Sequence, residues 1–200
     1  MVKGRKLEPK GYALTGYPGI SGRQLEGHYS LYNGYVNKYR EIAEILERTD
    51  YRAANQTYSE LRALKLAENF AYNAIKLHEA YFENLGGGGE AASRLRKAVE
   101  EEFGSWEDFR QQFAACGLAA RGWVILSWLP AEQRLTINCL DAHDAGFLAG
   151  SVPLLVMDVY EHAYFIDYGA KRAAYIEAFW NNIAWEEVNR RWERVEELAK

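Results

Sequence analysis

Cysteine is scarce: Cys116 and Cys139 are the only two in 200 residues. That excludes a disulfide-dense secreted scaffold and a Cys-rich zinc module, and it fits a reducing compartment. Long apolar runs are missing too. No window approaches the roughly 20 residues needed to cross a bilayer, and the basic stretch Met1 to Gly19 lacks a signal-peptide core. The expectation is a soluble, cytoplasmic protein. Positive charge is in deficit, with 24 Lys and Arg against 28 Asp and Glu, a formal net charge of -4. Nucleic acid and anionic membrane therefore lose electrostatic support as partners. No G-x-S-x-G elbow or G-x-G-x-x-G turn occurs, and the glycines Gly86 to Gly89 lack the Lys-Ser/Thr of a phosphate loop.

What is present is an ordinary globular composition, 48% hydrophobic and 14% aromatic, enough for one compact domain or two small lobes sharing a site. Ser21-Gly-Arg-Gln24 reads as a capping box, with Gln24 reaching back to the helix start. From there Leu25, His28, Tyr32, Tyr35, Tyr39, Ile42 and Leu46 recur at three and four residues, the spacing of one buried helical stripe. A second helix is predicted from the Thr57-x-x-Glu60 box to about Leu85, with Leu64, Ala67, Ala71, Ala74, His78, Tyr81 and Leu85 as its stripe. The polar connector between them is short, so the two pair antiparallel. His28 early in one and His78 late in the other then face each other at one end of the hairpin.

Gly86 to Gly89 reads as a flexible linker between lobes. Helices resume over Glu90 to Phe103 and from Ser105 to about Ala120. Strand patterns follow at Trp123 to Leu129, Arg134 to Leu140 and Pro153 to Val159, and the chain from about Lys171 to Lys200 is again helical. The predicted class is α+β: an N-terminal antiparallel helical hairpin (1–86), then a mixed lobe (87–200) with a three-stranded antiparallel sheet and surrounding helices.

Singly, each of His28, His78, His143 and His162 reads as a hydrogen-bonded core or loop histidine. Two on facing stripes at one level, with Asp158-x-x-x-His162 ending a buried strand, ask for more. Buried imidazoles and a buried carboxylate are costly unless an ion binds and neutralises them. Three imidazoles and one carboxylate suit iron or manganese and leave a position for solvent or substrate, and zinc would also accept them. The second histidine of a zincin and the paired Glu-x-x-His of helical di-iron sites are both missing.

From about Leu7 to Trp192 the chain resembles the iron/manganese superoxide dismutase family. Asp158-Val-Tyr-Glu-His-Ala-Tyr-Phe165 follows the family signature Asp-x-Trp-Glu-His-Ala-Tyr-Tyr, and Lys76 to Leu85, Phe103 to Phe109, Gly122-Trp123 and Phe179 to Trp185 match further segments. The resemblance implies dismutation of superoxide to dioxygen and hydrogen peroxide at one Fe or Mn ion per chain, held by His28, His78, Asp158 and His162. It also implies a role for His143 beside the metal's solvent ligand, since the family's alternative Gln position is Ala74 here. Arg172 matches a funnel arginine. Tyr35 matches the gateway tyrosine, with Tyr32 as rival because the chain is one residue shorter than the family between His28 and Tyr35. Tyr32, Tyr160 and Phe165 replace a His, a Trp and a Tyr. Glu161 implies pairing with a ligand histidine of a second subunit, hence a homodimer or higher assembly. Two alternatives stay open: other redox chemistry at the same metal, and a family-derived metal-binding protein without dismutase activity.

Overall fold

The computed structural model describes residues 7–198. The expected lead-in and the C-terminal helix therefore run at their extreme ends into residues outside those described. A two-residue hairpin, β1 (Gly16–Tyr17) and β2 (Ile20–Ser21), leads into α1 (Gly22–Leu46), and α2 (Glu60–Glu83) completes the helical pair. α1 is uninterrupted α-helix. The mixed part holds α3 (Ser93–Phe103), α4 (Trp106–Ala119), β3 (Trp123–Leu129), β4 (Arg134–Leu140) and β5 (Val152–Asp158). A 3-10 turn at Glu161–Ala163, then α5 (Phe165–Tyr168), α6 (Arg172–Asn181) and α7 (Trp185–Leu198), close the chain.

The sheet is antiparallel in the order β4-β3-β5, as the strand patterns predict. β5 is an edge strand, which is where Pro153 is tolerated, and the register slips between Leu126 and Ser127 next to that proline. One core built from residues of both the hairpin and the mixed part includes Leu25, Val36, Ile75 and Tyr81 with Trp123, Leu155 and Phe179. A smaller cluster of Ile42, Leu46 and Ala71 holds the far end of the hairpin.

Several sequence readings change in detail. Ser59, not Thr57, caps α2: its extended backbone lets its hydroxyl accept from Arg62 N at 3.2 Å, while Asn55 Oδ1 engages the Thr57 amide at 2.8 Å. Ala67 is exposed, and Val36 rather than Tyr35 or Tyr39 is fully buried on α1. Gly86 to Gly89 is a tied connector: the Gly86 and Gly87 amides donate to Asn182 O at 3.2 and 2.9 Å, and Trp185 N donates to Gly88 O at 3.1 Å. Such bonds explain why the C-terminal helix is two helices, since Asn182 O, Ala184 N and Trp185 N serve the segment 84–88 instead of continuing their own ladder.

Candidate metal centre

Four elements converge on one point. α1 supplies His28, α2 His78, the last residue of β5 Asp158, and the 3-10 turn His162. Asp158 Oδ2 lies 2.9 Å from His28 Nε2, 3.1 Å from His162 Nε2 and 3.8 Å from His78 Nε2. One candidate ligand atom from each residue falls within 4.8 Å of all the others. His28, His78 and Asp158 are fully buried, whereas the His162 side chain is 26% exposed.

The protonation pattern matches a cation site. Burial alone would raise the Asp158 pKa, but the His162 charge and hydrogen bonds from His162 and His28 hold it well below the usual carboxylate range. Burial lowers His28 and lowers His78 to about 3. At His162 the Asp158 carboxylate overcomes burial and the net shift is upward. His78 Nδ1 donates to Ala74 O at 2.6 Å, which leaves Nε2 as the lone-pair nitrogen. That Nε2 is buried, faces the cluster and has no hydrogen-bond partner. An orphaned acceptor beside an ionised carboxylate costs about 1–3 kcal/mol unless something occupies it. Fe or Mn fits this donor set of three nitrogens and one carboxylate oxygen.

Comparison with known proteins supports the same reading. The family described as iron/manganese superoxide dismutases, C-terminal domain, matches residues 91–191. The superoxide dismutase [Fe] of Aquifex pyrophilus is 45% identical over 197 residues, covering 95% of this chain and 92% of that protein. The chain belongs to the iron/manganese superoxide dismutase family. Its counterpart from Aquifex aeolicus, also named [Fe], is 44% identical over 95% of this chain and 92% of that protein. The superoxide dismutase [Mn] of Haloarcula marismortui is 35% identical over 88% and 87%.

Around this dismutase centre the structure sorts the other candidates. His143 is buried in the turn after β4. Gly146 helps hold that turn: its φ is +107°, and a Cβ there would come within 2.7 Å of Cys139 O. The Trp123 indole N–H donates to His143 Nδ1 at 3.0 Å, and His143 Nε2 lies 3.0 Å from the Tyr35 hydroxyl. With Nδ1 accepting, the imidazole proton resides on Nε2 and is offered to Tyr35. Burial lowers the His143 pKa to about 4. Tyr32 points elsewhere, accepting from Lys10 N at 2.9 Å and donating to Glu79 Oε1 at 3.3 Å. Tyr160 stacks on the His162 ring at 5.1 Å. Arg172 donates to Tyr164 Oη at 3.1 Å and to Ala120 O at 2.8 Å. Glu161 is exposed, and Phe165 beside it is 51% exposed.

Two contributors escape sequence reasoning. Ser21 does cap α1, accepting from Gln24 N at 3.1 Å, but the Gln24 side chain does not reach back. Buried instead, its Nε2 donates to His162 O at 2.5 Å and its Oε1 accepts from Ile166 N at 3.0 Å, which fixes the turn carrying a ligand. A polar residue on a buried helical face is the signal that finds it. Tyr175 Oη donates to Asp158 O at 2.7 Å, and nothing in the local pattern marks that tyrosine.

Proposed function

We propose that the chain disproportionates superoxide to dioxygen and hydrogen peroxide, with His28, His78, Asp158 and His162 holding one Fe or Mn ion and with His143, Tyr35 and Arg172 serving the reaction. The orphaned, buried His78 Nε2 carries the reading. When bound, the ion supplies the one-electron couple that accepts an electron from one superoxide and returns it to the next. The protein supplies the rest. Its single ligand carboxylate keeps the donor set at one negative charge, so a bound cation retains positive charge towards an anionic substrate. Trp123 holds the His143 proton on Nε2, and Tyr35, half-buried beside it, passes protons between solvent and the site. Arg172, anchored on Tyr164 and Ala120, contributes local positive potential in a protein of net negative charge.

The same reading makes the protein a cytoplasmic homodimer or higher homo-oligomer, with Glu161 and the exposed Phe165 at the contact. Among the described residues no helix is long and apolar enough to cross a membrane. Its two units are 1–86 and 87–200.

Metal content by elemental analysis and superoxide consumption, measured on one preparation from the native host, test the activity and decide iron against manganese. The expected result is one ion per chain, activity lost on chelation, and activity regained with the native ion alone. Bound metal without superoxide consumption would favour the altered-redox alternative. A metal-loaded monomer on gel filtration would remove the role given to Glu161.

A further inference from the structure

Neither cysteine takes part in the metal centre, yet the fold brings them together. Cys139 leaves the outer face of β4, opposite Val124 of β3, and its thiol donates to Cys116 O at 3.7 Å. That carbonyl lies in the last turn of α4, where it also accepts Ala120 N at 2.8 Å. Both thiols are free; Cys139 is exposed and Cys116 half-buried. Burial, aided by a hydrogen bond with the Cys139 thiol, pushes Cys116 up to about 12. The two sulfurs therefore differ in role: an exposed thiol able to meet a solute, and a protonated partner behind it.

We propose that Cys116 and Cys139 form a dithiol that hydrogen peroxide closes to a disulfide, cross-linking the end of α4 to β4. This rests on the dismutase reading for the source of oxidant, since peroxide is a product of that reaction. The Cys139 thiolate attacks one peroxide oxygen, the O–O bond breaks, and the hydroxide that leaves takes up the thiol proton as water. Cys139 is then a sulfenic acid. The Cys116 sulfur attacks it, the S–S bond forms as the S–O bond breaks, and the departing oxygen leaves as a second water carrying the Cys116 proton. Two thiols have lost two electrons and two protons, and one peroxide has become two waters.

The cross-link straddles a sensitive part of the frame. Residues 120–122 connect α4 to β3; Ala120 O receives Arg172, and Trp123, the first residue of β3, holds His143. Closing the segment 116–139 restricts the unfolded chain and raises the thermal midpoint by roughly 5–10 °C.

The test uses reduced, desalted holoenzyme and added hydrogen peroxide. Both thiols should disappear from a thiol assay, the intact chain should lose two hydrogens in mass, and a digest should contain a peptide pair joined at residues 116 and 139. Persisting thiols, oxygen adducts without a cross-link, or links only between chains overturn the proposal. In Cys116→Ser the Cys139 sulfenic acid should be trapped by dimedone, and its absence refutes Cys139 as the attacking thiol. A second arm supplies superoxide without peroxide, with and without catalase. A link that forms with added peroxide but never under superoxide leaves the dithiol standing and removes the dismutase as its source of oxidant.

Discussion

Trp123→Phe separates what the indole does for the fold from what it does for the site. Trp123 is fully buried, its N–H is spent on His143 Nδ1 at 3.0 Å, and its ring meets the His78 ring edge-on at 5.1 Å. Phenylalanine keeps an aromatic ring against His78 but removes the donor. Leaving the His143 acceptor unpaired in a buried place costs about 1–3 kcal/mol. The smaller ring leaves a void of roughly 40 Å³, worth about 1 kcal/mol more. A total of about 2–4 kcal/mol lowers the thermal midpoint by roughly 5–15 °C in a chain of this size. At the site, loss of a bond worth about 1 kcal/mol shifts the ratio of His143 tautomers by a factor of about 5, so a second tautomer becomes measurable. Ring nitrogen chemical shifts of a zinc-loaded sample report it. Metal content should stay at one ion per chain while turnover falls. A variant that lost its metal, or that kept Nε2–H as the sole tautomer, would refute the assignment of Trp123 to His143.

Three further outcomes follow from the same geometry. His28→Ala should abolish metal retention in elemental analysis, whereas His143→Ala should keep the metal and slow turnover; unchanged turnover in the second removes the role given to His143. Gln24→Ala frees the His162 carbonyl and the Ile166 amide together, which costs about 2–4 kcal/mol and should speed metal loss to a competing chelator by roughly 10–100-fold; an unchanged exchange rate would show that the turn holds itself. In the metal-free protein, burial lowers His28, His78 and His143 below the ordinary histidine value of 6.5, His78 to about 3 and His143 to about 4. The unfolded chain then binds more protons than the folded one between about pH 6.5 and 4, so stability is full above that window and falls as pH drops through it. His162, raised by Asp158, acts in the opposite sense but is one group against three. Urea midpoints at pH 7, 6 and 5 should decline in that order, and a rising midpoint would contradict buried neutral imidazoles.

The parts of this protein that local chemistry decides were legible in its residues. Helical spacing and a short connector placed His28 opposite His78, and strand-like runs broken by Pro130 to Gln133 placed β3 and β4 at the residues where they are found, because residue pattern and connector length act within a few residues. Where the reading failed, a distant partner had the deciding bond. Asn182 ends α6 because its carbonyl serves Gly86 and Gly87, and no pattern near Asn182 announces glycines so far back in the chain. Gln24 fitted a capping box, and the same side chain was claimed by the backbone at His162 and Ile166 once the fold closed. Trp123 read as the start of a strand, which it is, while its single polar atom was committed to His143.

The success at the histidines and the miss at Gln24 share a physical feature that makes a search rule. Gln24, His28, His78 and Asn84 all lie where a helix or its end is otherwise buried, and each is at most 1% exposed. A polar group there must be paired, so it points at something the helix itself cannot provide. His28 meets Asp158, Gln24 the turn behind His162, and Asn84 the amide of Val156 in the strand that ends at Asp158. His78 spends Nδ1 on Ala74 O, and its Nε2, which faces the cluster, has no hydrogen-bond partner. Lying 3.8 Å from the Asp158 carboxylate and within the four-residue cluster, that nitrogen is placed for a metal ion.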